Sequence, residues 1–319
     1  MSAPDLPRPD LPRPDLPRPD LPRPDVSGPD VVGPDLPRPD PARRDATWRE
    51  GVPPDLPGPQ GVGDWLRVIR RGLPAVLILL LGVLLILPLR GVERLIHGPR
   101  RPWTGPHVQI VCRLVLACIG LSWQRTGAPM RGPGAVVANH SSWLDILVMN
   151  AALPVFFVSK AEVARWPGIN ILTRVTNTHF VTRDPRLARQ QADEFSARLR
   201  AGHRLLFFPE GTSTDGLRVL PFKATLFQAF LDGGLPEGLA IQPMSVAYHA
   251  PEGRDPRFYG WWAEMALGPH LLTVLAARRQ GRVVVHLHAP LPVAGETRKS
   301  LAQKAQQAVR AGLGSDRLG

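Results

Sequence analysis

Two residues that could act together in proton transfer stand five positions apart in the stretch VVANHSSWLDILVMNA, residues 136–151. His140 and Asp145 follow one apolar run and precede another, which places them where a buried strand ends and a helix begins. A carboxylate that binds one imidazole nitrogen fixes the tautomer and leaves the other nitrogen free as a base. The pair therefore predicts either general-base chemistry or a capping aspartate beside a surface histidine.

The local backbone decides whether these two side chains can meet. On one continuous helix, positions five apart would point about 140° away from each other. Ser141 or Ser142 is predicted to cap a helix that begins near Trp143, with His140 in the preceding turn and Asp145 in the first helical turn. In that arrangement the carboxylate could reach the imidazole ring.

A base and its orienting carboxylate still need a nucleophile. The stretch GTSTDG, residues 211–216, breaks the Gly-x-Ser-x-Gly pattern of a serine nucleophile at Asp215. Both cysteines of the chain, Cys112 and Cys118, lie inside an apolar segment. We therefore expect that a hydroxyl group of the substrate is the nucleophile and that the base activates it directly.

A second polar cluster follows the apolar run of RLLFFPEGTSTDG, residues 204–216. Glu210, Gly211 and Thr212 form its turn, in which glycine allows a close backbone approach and the hydroxyl can donate or accept hydrogen bonds. The carboxyl ends of strands are where α/β proteins usually bind ligands. The sequence therefore predicts a binding turn here.

The two clusters together resemble the glycerolipid acyltransferase family, the 1-acylglycerol-3-phosphate acyltransferases and their relatives. Asn-His-x4-Asp at His140 is followed seventy residues later by Phe-Pro-Glu-Gly-Thr at Glu210. Arg183 lies where the family has a strand that ends in arginine, Lys160 is similar to the lysine after its second strand, and Pro243 matches its last strand-associated proline. The resemblance spans about residues 70 to 250.

The resemblance implies a membrane-bound O-acyltransferase. His140, oriented by Asp145, would remove the proton from a lysolipid hydroxyl, and that oxygen would attack an acyl thioester on coenzyme A or acyl carrier protein. No acyl-enzyme, metal or cofactor is implied. Two other classes remain open on the residues alone: a metal-dependent membrane hydrolase, and a non-catalytic membrane adaptor.

The resemblance also implies a headgroup site. Glu210, Gly211 and Thr212, with Arg183 and Lys160, would bind the acceptor's headgroup, which is commonly a phosphate; forked guanidinium donors suit phosphate or carboxylate.

One position departs from the family pattern. Ser213 stands where the family often has an arginine, and in this the chain looks like bacterial members that acylate lyso-ornithine lipid, some of which also make phosphatidic acid. The headgroup of that lipid presents a carboxylate and an amine, so Asp215 is expected to pair with the amine.

The N-terminal region has two parts. Residues 1–62 repeat the unit Pro-Asp-Leu-Pro-Arg and are predicted to form a disordered, extended tail, because proline recurs too densely for regular structure. Residues 63–128 are predicted to anchor the chain in a membrane. Gly72 to Leu89 is uncharged and close to the ~20 residues that cross a bilayer, and Pro106 to Trp123 is a second helical segment.

Residues 129–319 read as an α/β domain, a layered mixed sheet flanked by helices. Its predicted strands are 135–138, 155–158, 179–181, 205–208, 241–247 and 283–287. The clearest helix follows Pro185, buries Leu187, Phe195 and Leu199 on one face, and ends at Gly202.

Composition limits the partners. A formal net charge of +12 over 319 residues favours an anionic partner, either nucleic acid or an anionic membrane surface. Nucleic acid is not expected, because the sequence has no zinc-finger spacing and no basic stripe interleaved with aromatic residues. An acyl donor from the cytosol and an acceptor in the bilayer together predict the inner membrane, with the catalytic domain on its cytoplasmic face.

Overall fold

A computed structural model describes residues 48–160, 179–181, 188–231 and 235–318. The strands in these ranges are β1 (Ser122–Thr126), β2 (Gly134–Ala138), β3 (Phe156–Lys160), β4 (His179–Val181), β5 (Leu205–Phe207), β6 (Ala240–His249), β7 (Arg282–Leu287) and β8 (Leu291–Pro292). The helices are α1 (Val62–His97), α2 (Thr104–Ile119), α3 (Asp145–Ala152), α4 (Ala188–Arg200), α5 (Leu267–Ala276) and α6 (Arg298–Leu318), with a 3₁₀-helix at Ala224–Phe230.

The strands form one mixed sheet in the order β1-β7-β6-β2-β5-β3-β4, with β8 paired to β6. β2 is parallel to both neighbours, with Val137 opposite Phe207 of β5 and Ala138 opposite Met244 of β6. β7 runs antiparallel to β6, and β1 runs parallel to β7. The predicted layered mixed sheet is confirmed, and the carboxyl ends of β2, β5 and β6 meet at one edge.

Helices cover both faces of the sheet, as a strand buried on both sides requires. On β2, Val136 and Ala138 belong to the core under α1, α2, α3 and α5, whereas Ala135 and Val137 belong to the core under α4, α6 and the 3₁₀-helix. On the second face, Phe195 and Leu199 of α4 are buried as predicted. The two cores hold β2 rigidly, so the turn that follows it has a fixed starting point.

The N-terminal helices differ from the predicted ones in length. α1 covers 36 residues, twice the predicted apolar run, because it continues through the arginine-rich flanks. It is the one helix of the described residues that is long and apolar enough to cross a bilayer, judged by length and composition alone.

The second predicted helical segment, Pro106 to Trp123, ends earlier in the structure than predicted. α2 ends at Ile119, because Gly120 adopts a left-handed φ of 82° and its N–H caps the last turn. Ser122–Thr126 then enters the sheet as β1 beside β7. The helical region predicted for residues 63–128 therefore stops short of its end, and the sheet begins inside it.

The predicted disordered tail also extends too far. Residues 48–61, here called the strap, run along the domain, and residues 1–47 lie outside the described part of the chain. Trp48 is buried, and Leu56 packs against the core. Arg257 donates a hydrogen bond to the carbonyl of Val52 (3.0 Å), and the hydroxyl of Thr273 donates one to that of Leu56 (3.2 Å). Trp48 and Leu56 are therefore the large apolar side chains through which this segment contacts the domain.

Candidate active site

The histidine and the aspartate that the sequence paired are in contact. Nδ1 of His140 lies 2.7 Å from Oδ2 of Asp145. His140 stands in the turn after β2, and Asp145 is the first residue of α3. The predicted general-base pair therefore has the required geometry, with Nε2 as the ring nitrogen left to take a proton.

Side chains of both Ser142 and Asp145 cap this turn. The hydroxyl of Ser142 accepts from the N–H of Leu144 at 3.3 Å, which is the contact predicted for a capping serine. The regular helix begins at Asp145, two residues after the predicted start, and the backbone N–H groups of Ser141 (2.8 Å) and Ser142 (3.1 Å) donate to Asp145 Oδ2. A carboxylate that accepts several N–H groups is held firmly, which fixes the oxygen facing His140.

The other oxygen of Asp145 binds a residue that the sequence gave no reason to select. Tyr248 in β6 donates its hydroxyl hydrogen to Asp145 Oδ1 at 2.7 Å, and both side chains are buried. Burial, with the nearby charge of Asp145, raises the pKa of Tyr248 well above its usual value of 10. The phenol therefore stays protonated and remains a donor to the carboxylate.

Two neighbours fix the imidazole from other sides. The ring of Phe208 stacks on the ring of His140, with centroids 4.1 Å apart and planes 14° apart. Asn139, fully buried, accepts from the N–H of Val246 (2.8 Å) and donates to its carbonyl (3.0 Å), which joins the turn to β6. The side chain of His140 is 24% exposed, so the ring is partly open to solvent.

Glu210 lies beside this turn, but its carboxyl group faces the backbone. Oε1 accepts from the N–H of His140 and Oε2 from the N–H of Leu220, each at 2.9 Å. Burial raises the pKa of Glu210 to about 8, while these two N–H donors act in the opposite direction. The contacts make Glu210 a residue that positions the turn from Asn139 to Asp145, which differs from the headgroup contact that the sequence predicted.

The rest of the predicted binding turn is closely packed. Gly211 has a φ of 74°, a left-handed conformation that side-chain-bearing residues rarely adopt, so the backbone of this turn favours glycine. The hydroxyl of Thr212 accepts from the N–H of Trp48 in the strap (3.1 Å). Lys223 is an exposed cation at this turn that sequence reasoning passed over.

Asp215 is not presented to a headgroup amine. Its side chain is 4% exposed, its Oδ2 lies 3.1 Å from Nη2 of Arg218, and its Oδ1 accepts from the N–H of Leu217 (3.0 Å). Arg218, with 51% of its side chain exposed, is the charged group that this loop offers to solvent. The amine contact expected of Asp215 is therefore wrong, because a neighbouring arginine already uses the carboxylate.

Of the two other residues predicted to bind the headgroup, the structure describes only the backbone of Lys160. Lys160 is the last residue of β3, and β3 runs parallel to β5, so its backbone reaches the same edge as the catalytic turn. Arg183 lies outside the described residues. Their headgroup contacts remain predictions.

Trp143, within the catalytic turn, is held by a histidine of α5. Its indole N–H donates to Nδ1 of His270 at 2.9 Å. Burial lowers the pKa of His270 to about 4, so its ring is neutral and accepts the bond.

Among the described residues no group of three His, Cys, Asp or Glu side chains could hold a metal ion.

Comparison with known proteins gives a consistent result. Residues 124–247 match the family model described as "Acyltransferase". The chain is 51% identical over 263 residues to the lyso-ornithine lipid O-acyltransferase of Rhodobacter capsulatus, which covers 82% of this chain and 95% of that protein. It is 30% identical over 200 residues to the 1-acyl-sn-glycerol-3-phosphate acyltransferase of Neisseria gonorrhoeae, covering 62% of this chain and 76% of that one.

A solved structure has the same fold. The crystal structure of PlsC, the 1-acyl-sn-glycerophosphate acyltransferase of Thermotoga maritima, superposes with a TM-score of 0.55 at 20% sequence identity. The match covers 79% of this chain and 98% of that one.

Proposed function

The chain belongs to the glycerolipid acyltransferase family, and on this premise we propose that it moves a fatty acyl group from an acyl thioester to the free hydroxyl of lyso-ornithine lipid. The family makes it an acyltransferase, and not the hydrolase or the non-catalytic adaptor that the residues alone left open. Its 51% identity to an enzyme of that name supports the acceptor. Lysophosphatidate is the second candidate acceptor, because relatives at 30% identity are named for the acylation of acylglycerol phosphate.

The contact of 2.7 Å between His140 and Asp145 carries the proposed mechanism. Nε2 of His140 takes the proton of the acceptor hydroxyl while that oxygen attacks the thioester carbonyl. The tetrahedral intermediate collapses by breaking the carbon–sulfur bond, and the imidazolium returns its proton to the thiolate. The products are an ester and a free thiol on coenzyme A or acyl carrier protein, and no cofactor takes part.

The residues around the pair support this role for His140. The buried carboxylate of Asp145 stabilises the imidazolium that forms during proton transfer. Glu210 binds the backbone N–H of His140, and Phe208 stacks on the ring, so the base is held in one orientation. Such positioning lowers the reorganisation needed to reach the transition state.

The surface of α1 supports a membrane location. Its exposed side chains include leucines along its whole length, such as Leu73, Leu80 and Leu84, all more than half exposed. The helix is fixed to the catalytic domain, since Arg71 donates to the carbonyls of Leu275 (2.9 Å) and Ala277 (2.6 Å) in and after α5. We propose that α1 and α2 anchor the enzyme to the inner membrane with the catalytic domain on its cytoplasmic face, where the acyl donor is available.

Product analysis tests the acceptor directly. The purified full chain is supplied with lyso-ornithine lipid and lysophosphatidate, each with acyl-CoA and with acyl carrier protein as the donor, and products are identified by lipid mass spectrometry. We expect ornithine lipid to form with a kcat/KM above that of phosphatidic acid. Exclusive use of lysophosphatidate would reject the proposed acceptor, and protease digestion of sealed inside-out vesicles that spares residues 130–319 would reject the cytoplasmic location.

A further inference from the structure

The strap crosses the loop that surrounds the catalytic histidine. The N–H of Trp48 donates to the hydroxyl of Thr212 at 3.1 Å, and the indole ring lies 6.0 Å from the ring of Trp262. The guanidinium carbon of Arg218 lies 5.1 Å from the centre of the Trp48 ring. A segment 164 residues away along the chain thus covers the turn for which the sequence predicts headgroup binding.

This loop is attached directly to the catalytic turn. The backbone N–H of Thr214 donates to the carbonyl of His140 at 2.9 Å, and its hydroxyl donates to the same oxygen at 3.3 Å. The N–H of Trp261 donates to the carbonyl of Ser141 at 2.8 Å. An acceptor whose hydroxyl reaches His140 therefore has this loop as a neighbour for its headgroup.

Two hydrogen-bond donors lie near the contact between the strap and the loop, because the guanidinium of Arg218 lies over the face of the Trp48 indole. The indole N–H of Trp48 has no hydrogen-bond partner among the described residues, although the residue is only 8% exposed. Arg218 gives one N–H to Asp215, and half of its side chain remains exposed. Buried donors are almost always paired in folded proteins, so an unpaired indole N–H beside a half-exposed guanidinium suits an oxygen-bearing anion.

We propose that Arg218 and the indole N–H of Trp48 bind the carboxylate of the acceptor's headgroup, which makes the strap one wall of the acceptor site. The assignment rests on the proposed function and deepens it. Arg218 supplies the cation that Ser213 does not, five residues further along the same loop. A phosphate would satisfy the same two donors, so the test compares both anions.

The test removes the charge from the substrate and from the protein in turn. The full chain and its variants are assayed with lyso-ornithine lipid, with the methyl ester of that lipid, and with lysophosphatidate. The wild type is expected to use the free acid at least about tenfold better than the ester, the size of a charge-assisted hydrogen bond. In Arg218→Gln this preference should disappear, and in Trp48→Phe it should fall several-fold while the aromatic ring is retained.

A matched control lies on the strap itself. Arg49 pairs with Glu264 at 2.8 Å, and both side chains are more than half exposed. Arg49→Gln removes one cation next to Trp48 and should keep the acid-to-ester preference of the wild type. Because partial unfolding lowers the rate with acid and ester equally, the ratio separates lost recognition from lost protein.

The outcomes distinguish a failure of the proposed carboxylate site from a failure of the proposed acceptor. If Arg218→Gln lowers kcat/KM for acid and ester equally, or leaves both unchanged, the carboxylate site is wrong even when ornithine lipid is the product. If the wild type acylates lysophosphatidate alone, the proposed acceptor is wrong. Arg218→Gln is then measured on that acceptor, where a loss of about tenfold supports an anion site for phosphate and an unchanged kcat/KM overturns the site.

Discussion

In the turn from Asn139 to Asp145, polar side chains are buried, whereas α1 leaves large apolar side chains exposed. Asn139, Ser141, Ser142 and Asp145 are each fully buried and hydrogen-bonded. The buried apolar side chains of α1 are those of Val68, Ala75 and Ile86, whereas most of its leucines are exposed. The turn pairs its polar groups within the protein, whereas α1 presents an apolar surface that suits the membrane anchoring proposed above.

Because of this difference, the two regions should respond differently to substitution. A buried polar network has one geometry in which all its members are paired, so the loss of one member leaves its partners unsatisfied. Exposed leucines act through the total apolar area that they place in a membrane, so each contributes a modest, additive amount. Substitutions in the turn should therefore alter chemistry or folding, and substitutions on α1 should alter where the enzyme resides.

The largest effect is expected from His140→Ala, which removes the base. General-base catalysis contributes typically about 10²–10⁴-fold in rate, so kcat should fall by that factor while the fold survives, because the ring is partly exposed. His97→Ala, at the end of α1, is the matched control and should keep wild-type kcat. An unchanged rate of acyl transfer in His140→Ala would leave the proposed mechanism without its base.

Glu210→Ala tests whether the polar network is structural or binds substrate. The change leaves the backbone N–H groups of His140 and Leu220 without partners, and each unsatisfied buried donor costs about 1–3 kcal/mol. We expect the free energy of unfolding, measured by urea denaturation in detergent, to fall by about 2–4 kcal/mol. Glu252→Ala, at an exposed position, should change it by less than about 0.5 kcal/mol.

A different outcome would favour the role that the sequence predicted for this residue. If Glu210→Ala keeps the stability of the wild type and raises only the KM for the acceptor, the carboxyl group binds the headgroup and the backbone contacts are secondary.

On α1 the expected effect is on membrane binding and not on catalysis. Leu80 and Leu84 are 61% and 65% exposed, and burying a leucine side chain in an apolar medium is worth about 1.5–3 kcal/mol. The double variant Leu80→Ser/Leu84→Ser should bind anionic vesicles at least about tenfold more weakly in a flotation assay. Its kcat on an acceptor dispersed in detergent should match that of the wild type.

The 3₁₀-helix offers a control for this comparison. Leu226 is 42% exposed but lies outside α1, so Leu226→Ser should leave vesicle binding unchanged. Equal losses for the two variants would mean that exposed apolar area anywhere on the protein drives binding.

The contrast also explains which parts of the site the sequence could predict. His140 and Asp145 meet through a short strand–turn–helix connection, and the apolar run before them identifies the strand, so local rules suffice. The binding turn at Glu210 could be placed at the same edge, because both strands it depends on are buried and parallel.

Long-range contacts could not be predicted in this way. Tyr248 reaches Asp145 across 103 residues and Trp48 reaches Thr212 across 164. These contacts depend on strand register and on how a proline-rich segment packs, which periodicity does not determine. Proline density places the strap in the predicted disordered tail, although Trp48 is buried and Leu56 packs against the core.

Tyr248→Phe should give the smallest effect and the most informative one. The variant keeps the buried ring and loses only the hydrogen bond to Asp145 Oδ1, so kcat at pH 8 should fall by no more than about tenfold. Without that donor Asp145 Oδ1 loses its side-chain partner, and the carboxylate that faces His140 is held less firmly. The loss should appear in kcat and leave the KM for the acceptor unchanged, because Tyr248 contacts Asp145. A wild-type kcat would show that this hydrogen bond does not orient the pair, and a change confined to KM would contradict the positioning role.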